Sequence, residues 1–343
     1  MVRSRIASCV VVVVGCGSSA PPAPDAPGLA APMIAVTAHP VAGAPVQCTI
    51  AAGSTGAQGA VVYRATWTRD ATAVSTTATT AFADDSIPGR QTHTGQVFGC
   101  TVVASDGVST VTSAPATVTI EGRFAFLIDQ AALPQMLDKI DLDTLELTVV
   151  GPTGVTFNFG DLAWDSKTQQ LYMADGQTVT KALYRVDTAT GAATLVGNHN
   201  VTTLRSLGYD PVLDRMLGGV GANVNPAIYT LDLTTGAATM LGGKTSTDGL
   251  AYDTSRHRMV GVTASASSGT FSAVDTTTGE FAMLASDAKL DDAGLTYDPY
   301  LDVFWAATAD GQILQYDPVY FMRTPAKAFA GQQFASLAIV VPP

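Results

Sequence analysis

The sequence predicts an all-β protein, and three observations support that class. Charged residues make up only 14% of the 343 residues, against roughly a quarter in an average soluble protein. Coiled coils and long solvated helices need Glu, Lys and Arg, so a chain rich in Ala, Thr, Gly, Ser and Val favours short strands joined by turns. The third observation is a four-residue marker that returns at near-regular intervals in the second half of the chain, which is typical of a repeat architecture.

The charge balance excludes one class of partner. Lys and Arg number 18 against 29 Asp and Glu, which gives a formal net charge of −11. A protein that binds duplex DNA needs a basic surface that neutralises phosphates. The sequence shows no such basic cluster, so we expect no nucleic-acid partner.

Residues 1–15 have the composition of a targeting segment. Arg3 and Arg5 precede a short apolar run that ends at Gly15. The run is about half the length of the roughly 20 residues that span a bilayer. It therefore predicts a secretory signal peptide and not a membrane anchor.

A lipobox-like motif and a linker follow the signal. Residues 13–16, Val-Val-Gly-Cys, resemble the lipobox of bacterial lipoproteins, which implies cleavage before Cys16 and diacylglycerol on its sulfur. Ordinary signal cleavage near Ala20, with loss of Cys16, is the alternative. Residues 16–32 are rich in Pro and Ala and predict an extended tether. We expect an exported lipoprotein at the outer membrane or cell surface that contacts the membrane through its lipid alone.

Two cysteines remain for the folded part of the chain. Cys48 and Cys100 are a single pair in a chain expected to be exported, where an oxidising compartment favours a disulfide. A zinc site would need four ligands, and neither a CxxC motif nor paired histidines accompany them. We predict a disulfide that closes a loop of about 50 residues.

Residues 33–121 alternate in polarity as half-buried strands do. The order Cys48, Trp67, Cys100 resembles the immunoglobulin pattern, in which a core Trp packs against the disulfide between two sheets. The resemblance implies an Ig-like β-sandwich, for which we favour a spacer role over a recognition role. Phe98 departs from the pattern, because a Tyr is typical two residues before the second Cys. The predicted strands span 46–50, 61–67, 97–103 and 116–120.

Residues 122–343 carry internal repeats. The first marker, Leu-Ala-Trp-Asp and its variants, occurs at 162–165, 207–210, 250–253 and 295–298. The second marker, Val-Asp-Thr-Ala-Thr-Gly and its variants, occurs at 186–191, 231–236 and 274–279. Short apolar runs lie between the markers, so each unit holds four short strands in about 44 residues, the size of a propeller blade.

The phase of the repeats predicts how the ring closes. The first copy, from Phe124, lacks the innermost strand, and residues 334–340 supply a strand of that type at the C-terminus. Five strands of each type result, and a closed ring leaves no inner edge exposed. We predict a monomeric five-bladed β-propeller closed by the C-terminal strand. The stretch resembles bacterial NHL/YVTN-like propeller repeats, which implies a fold and no particular activity.

The repeated aspartates and aromatic residues are expected to be structural. Each Asp that ends the first marker precedes a turn, where a carboxylate can accept hydrogen bonds from N–H groups two residues on. The aromatic residues before these aspartates are expected to pack between blades. They are Trp164, Tyr209, Tyr252 and Tyr297.

The candidate binding site lies where the repeat is broken. The loops that lead into the innermost strands should converge on one face of the central channel, with Phe159 and Phe334 as aromatic platforms. Solvated loops without a ligand are the alternative. The candidate ligand-binding residues are Asn158, Phe159, Arg205, Asp248, Asp291, Asp292 and Gln332.

Three functions remain open at this point. No hydrolase or metalloprotease motif is present, so we favour a binding or scaffold protein with a protein or glycan ligand, without a cofactor and with no catalytic residue assigned. The alternative is a propeller enzyme of the lactonase, lyase or glycosidase type, in which Asp248, Asp291 or Asp292 hold a divalent metal. Calcium would suit such oxygen ligands. A purely structural surface protein without a site is the third possibility.

Overall fold

A computed structural model describes residues 28–79, 85–176, 180–221, 225–265, 268–287, 290, 292–334 and 336–340. The predicted signal peptide, Cys16 and Asp291 lie outside the described residues. The described part consists of strands β1–β28 and one short 3-10 helix at Gly89–Gln91, which confirms the all-β class. Within it, no helix is long and apolar enough to cross a bilayer.

The N-terminal region contains two antiparallel sheets. Their strands are β1 (Met33–Val36), β2 (Val46–Ala52) and β5 (Asp85–Ile87) in one sheet, and β3 (Val62–Arg69), β4 (Thr72–Thr79), β6 (Val97–Ser105), β7 (Thr110–Thr112) and β8 (Ala116–Thr119) in the other. A disulfide joins Cys48 of β2 to Cys100 of β6, with the Cα atoms 6.4 Å apart. This bond confirms the predicted pairing. Trp67 is completely buried in the same core.

The remaining described strands form five four-stranded antiparallel sheets. Sheet 1 combines β28 (Ala338–Ile339), β9 (Phe124–Asp129), β10 (Met136–Asp141) and β11 (Leu147–Pro152). Sheet 2 is β12 (Asp161–Asp165), β13 (Gln170–Ala174), β14 (Ala182–Val186) and β15 (Ala193–Asn198). Sheet 3 is β16 (Leu204–Asp210), β17 (Arg215–Val220), β18 (Ile228–Leu231) and β19 (Ala238–Gly242). Sheet 4 is β20 (Gly249–Asp253), β21 (Arg258–Ser265), β22 (Ser268–Val274) and β23 (Phe281–Asp287). Sheet 5 is β24 (Ala293–Asp298), β25 (Val303–Thr308), β26 (Gln312–Tyr316) and β27 (Arg323–Ala328).

The first strands of these sheets lie side by side around a common channel. Contacts join β12 to β16, β16 to β20, β20 to β24, β24 to β28 and β28 to β12. This side-by-side arrangement of four-stranded antiparallel sheets is typical of a β-propeller. In sheet 1, Ala338 of β28 pairs with Phe126 of β9, which is the pairing that the repeat phase predicts.

Apolar clusters fill the space between neighbouring sheets. Between sheets 4 and 5, the rings of Phe271 and Phe321 lie 4.7 Å apart and those of Tyr297 and Phe304 lie 5.2 Å apart. The predicted packing role of the repeated aromatic residues is confirmed, because each of the four belongs to or packs against one of these clusters.

The repeated aspartates hold the turns, as predicted. Asp210 Oδ1 accepts hydrogen bonds from the N–H groups of Val212 and Leu213, at 2.9 and 3.1 Å. Asp232, in the outer turn of the same sheet, binds the next two turn N–H groups in the same way, at 2.8 and 2.9 Å. The turn geometry accounts for the recurrence of these carboxylates.

A buried arginine joins the N-terminal sheets to the ring. Arg123 is 2% exposed, and its Nε lies 2.8 Å from Oδ2 of the completely buried Asp298. Its guanidinium also donates to the carbonyl oxygens of Ala42, in the N-terminal region, and of Leu142, which directly follows β10. One side chain therefore ties together three parts of the chain that are distant in sequence.

Candidate functional site

Four of the predicted ligand-binding residues meet at one end of the channel. Arg205 Nη1 lies 3.2 Å from Asp248 Oδ1 and 2.9 Å from Asp292 Oδ1. Its guanidinium lies 4.7 Å from the centre of the Phe159 ring, within the range of a cation–π contact. We call these four residues the polar mouth.

The polar mouth is closed by its own ion pairs. The space left between its side chains and the neighbouring Gly160 and Ala293 is about 10 Å³, which is no more than one water molecule needs. The Arg205 side chain is 18% exposed and that of Asp292 is 26% exposed. A ligand would therefore contact the outer surface of the cluster or displace one of the ion pairs.

Burial affects the ionisation of Asp248 in the polar mouth. Asp248 is buried, and desolvation raises the pKa of its carboxyl, although the Ala264 N–H and the Arg205 guanidinium oppose that rise. Asp248 is thus held by a backbone donor as well as by Arg205. Its position is fixed before any ligand arrives, as a binding site on rigid strands requires.

A further carboxylate, which is not among the candidate ligand-binding residues selected from the sequence, lies just inside the mouth. Asp161 is completely buried, and it accepts hydrogen bonds from the N–H groups of Leu162, Leu207 and Leu337. Desolvation raises the pKa of Asp161 well above its usual value. Leu207 lies in β16 and Leu337 directly precedes β28, so this carboxyl links β12 to the inner-strand segments on both sides.

The sequence contains a signal for Asp161. Counting back one residue from the Leu of each first marker gives an Asp in β12, whereas the other inner strands have Ser or Gly there. The counterparts are Ser206, Gly249, Gly294 and Ser336. One acidic residue in a series of small ones marks a position with a different role.

The other predicted residues are only partly connected to this cluster. Asn158 is half-buried in the loop beside Phe159. Gln332 is half-buried and lies outside the lining of the mouth. Asp291 lies outside the described residues. The expectation that Phe334 is an aromatic platform is wrong, because its side chain is completely buried in the core between sheets 1 and 5.

The predicted calcium site gains no support from the polar mouth. Among the described residues, no three His, Cys, Asp or Glu side chains are grouped so that they could share a metal ion. The carboxylates of Asp248 and Asp292 converge on the guanidinium of Arg205. A cation at that position would have to compete with a covalently tethered positive charge.

A second cavity, which the sequence reasoning also missed, lies at the opposite end of the channel. Its volume is about 240 Å³, and all five inner strands line it. Most of its wall is aliphatic or aromatic, and the exposed turn residues Pro211 and Thr254 border its opening. We call it the apolar cavity.

The space in the apolar cavity comes from small residues that directly follow the repeated Leu of each inner-strand segment. These residues are Ala163, Gly208, Ala251, Thr296 and Ala338. This series of small residues is visible when the repeats are aligned, so the presence of a cavity could have been predicted from the sequence. Its size could be known only once the radius of the ring was known.

Comparison with known proteins yields structural likeness only. No protein-family model matches the chain, and no curated protein matches it in sequence. A chain of a nidogen/laminin complex is 11% identical, with a TM-score of 0.44, over 81% of this chain and 98% of that chain. TolB from Acinetobacter baumannii is 14% identical, with a TM-score of 0.43, over 73% and 80% of the two chains. A structural genomics protein of unknown function from Bacteroides thetaiotaomicron is 13% identical, with a TM-score of 0.43, over 86% and 87%. At these values the likeness carries no information about ligand or activity.

Proposed function

We propose that this protein is an exported, lipid-anchored binding protein. It would consist of an Ig-like sandwich and a five-bladed propeller closed by β28, displayed at the outer membrane or cell surface. The inner-strand contacts and the pairing of β28 with β9 support the ring. The Cys-Trp-Cys core supports the sandwich. The signal-like residues 1–15 and Cys16 support export and lipidation.

One observation carries the binding proposal: Arg205 is fixed between two carboxylates and over an aromatic ring at the mouth of the channel. Guanidinium N–H groups donate, and carboxylate oxygens have further lone pairs that accept. The Phe159 ring adds an apolar face. Donors, acceptors and an aromatic surface in one place suit a glycan or a peptide segment.

The charge of the mouth narrows the ligand class. Two carboxylates and one guanidinium leave a formal charge of −1 when all three are ionised, on a chain whose net charge is −11. An anionic ligand would meet repulsion from the site and from the whole surface. The ligand is therefore neutral or cationic, which is compatible with hydroxyl groups of a glycan or with basic peptide side chains.

The enzyme alternative has less support from this geometry. It requires carboxylates that are free to hold a metal, and Arg205 occupies the two that the structure describes at the mouth. A binding role uses the same ion pairs as they stand. We therefore prefer binding over catalysis.

A ligand screen by thermal shift tests the proposal. The full chain would carry Cys16→Ala to keep it soluble and would be heated with neutral oligosaccharides, cell-wall fragments and basic or acidic peptides. A ligand at 100 times its Kd stabilises a protein by about 2.7 kcal/mol. We expect a shift with a neutral or basic ligand that is lost in Arg205→Met.

Arg256→Met is the matched control, because Arg256 also binds two carboxylates, Asp253 and Asp302, but at the opposite end of the ring. It should keep the ligand-induced shift. An equal shift in both arginine variants would place the ligand elsewhere, and no shift with any compound would contradict the proposal.

Lipidation has a separate test. Expression of the full chain in a bacterial host with a labelled fatty acid should label the protein and place it in the membrane fraction. Cys16→Ala should abolish the label. Labelling that survives this substitution would contradict the anchor.

A further inference from the structure

We propose that the apolar cavity is a second ligand site. It would take a small uncharged molecule with an aromatic or aliphatic body and one hydrogen-bond acceptor. The site is separate from the polar mouth, and it does not depend on the function proposed there.

The cavity has the volume of a ligand site. An apolar cavity of about 150 Å³ can bind benzene in other proteins, and this one measures about 240 Å³. Residues of the turns that follow the inner strands line the cavity, so a molecule would enter from the turn end. Pro211 and Thr254, which border that opening, are exposed.

The wall is suited to an uncharged molecule. The described residues that line the cavity include no charged side chain. The carboxylates nearest to it, such as Asp210, are turned to the N–H groups of the strand-end turns. Burying an unpaired charge in such a wall is costly, so charged analogues should be excluded.

One hydroxyl group gives the site its polarity. Thr296 directly follows Leu295 of β24, at a position where three of the other inner-strand segments have Ala, and it is 7% exposed. Its Oγ1 accepts a hydrogen bond of 3.1 Å from the N–H group of Ile339. A hydroxyl can donate as well as accept, and in the described part of the chain no acceptor is assigned to its proton. A carbonyl or ether oxygen of a ligand would provide one.

The test compares three compounds that share a ring: benzene, acetophenone and benzoate. Their binding to the full chain with Cys16→Ala is measured by ligand-observed NMR and by titration calorimetry. We expect acetophenone to bind more tightly than benzene, because it adds an acceptor for Thr296. Benzoate should not bind.

Two variants locate the site. Ala251→Leu fills the cavity and should abolish the binding of benzene and acetophenone. Thr296→Val removes the donor but keeps the shape, so it should weaken acetophenone about 3- to 10-fold and leave benzene unchanged. Benzene binding by the Thr296 variant shows that its cavity is intact. Arg205→Met, at the polar mouth, should bind both compounds as the parent chain does, so the two sites can fail independently.

Several results would overturn the proposal. If Ala251→Leu does not fold, Ala163→Val takes its place as a smaller filling change. Binding that survives a folded filling variant would place the compounds elsewhere. An equal loss of benzene and acetophenone in Thr296→Val would remove the role of the hydroxyl. No binding of either compound at millimolar concentration would show that the cavity is not a ligand site.

Discussion

The two regions of this molecule are stabilised in different ways. The N-terminal sheets share one core, and a disulfide crosses it. The five sheets of the ring have no disulfide among their described residues, and separate apolar clusters join each sheet to the next. One core and one covalent crosslink therefore stabilise the first region, whereas several separate contacts between sheets stabilise the second.

The junction between the regions should be the most sensitive point. Arg123→Met would leave Asp298 buried without its ion-pair partner, and breaking a buried pair costs about 3–5 kcal/mol. Urea unfolding would measure this loss. Lys167→Met is the control, since Lys167 and its partner Asp214 are both exposed and surface pairs contribute about 0–1 kcal/mol. Equal losses of stability in the two variants would show that the buried ion pair at the junction stabilises the protein no more than a surface pair does.

Removing the disulfide should affect one region only. Cys48→Ala combined with Cys100→Ala should cost about 3 kcal/mol, because the reduced chain gains loop entropy when it unfolds. Hydrogen exchange should show lost protection in β2, β3 and β6, while β12 and β16 keep theirs. A uniform loss across the chain would show that the two regions unfold as one unit.

A buried acid in the ring should give it a distinctive pH dependence. Asp138 of β10 is 1% exposed, and burial, together with the nearby Asp129 carboxylate, raises its pKa to about 6. A raised pKa means that folding favours the protonated acid, so the stability due to this group is complete below about pH 4 and is lost as the pH rises through 6.

Asp138→Asn should remove that loss. The variant should be more stable than the parent at pH 7 by about 2 kcal/mol, and the difference should disappear near pH 4. Urea unfolding from pH 4 to 8 measures it. Parallel stability curves for the two proteins would show that Asp138 does not titrate in this range.

A last comparison concerns two turns of sheet 3. Asp210 is 1% exposed and its hydrogen bonds to the turn are partly buried, so Asp210→Ala should cost about 1 kcal/mol. Asp232 makes the same two bonds at the surface, where water can replace the carboxylate. Asp232→Ala should cost less, as thermal unfolding would show. An equal loss of stability in the two variants would mean that burial does not determine how much these turn hydrogen bonds stabilise the protein.

The features that could be predicted depend only on residue types and their spacing along the chain. The turn aspartates and the pairing of β28 with β9 follow from marker residues at regular intervals, and the Cys48–Cys100 bond follows from the single cysteine pair left in the folded part of the chain. Arg123 shows the limit of this approach. It is a single basic residue at the boundary of the regions, and its partner Asp298 becomes a neighbour only when the ring is formed.

The candidate site shows the same division. Phe159, Arg205, Asp248 and Asp292 could be selected because they break the repeat in loops that converge. The contacts between these four side chains could not be predicted, since they depend on distances across the channel. Phe334 was assigned to a loop surface and lies in the core, because the strand-like run that begins with it already packs against sheet 5.

The position of β28 has a consequence for how the chain is made. The N–H group of Ile128 bonds to the hydroxyl of Ser336, 208 positions later, and Phe126 pairs with Ala338. A growing chain that has reached β27 still exposes the free edge of β9. Contacts between residues so distant form late, and open strand edges invite association with other chains. A chain that extends only as far as β27 is therefore the form most in need of protection, and the synthesis of β28 removes that need.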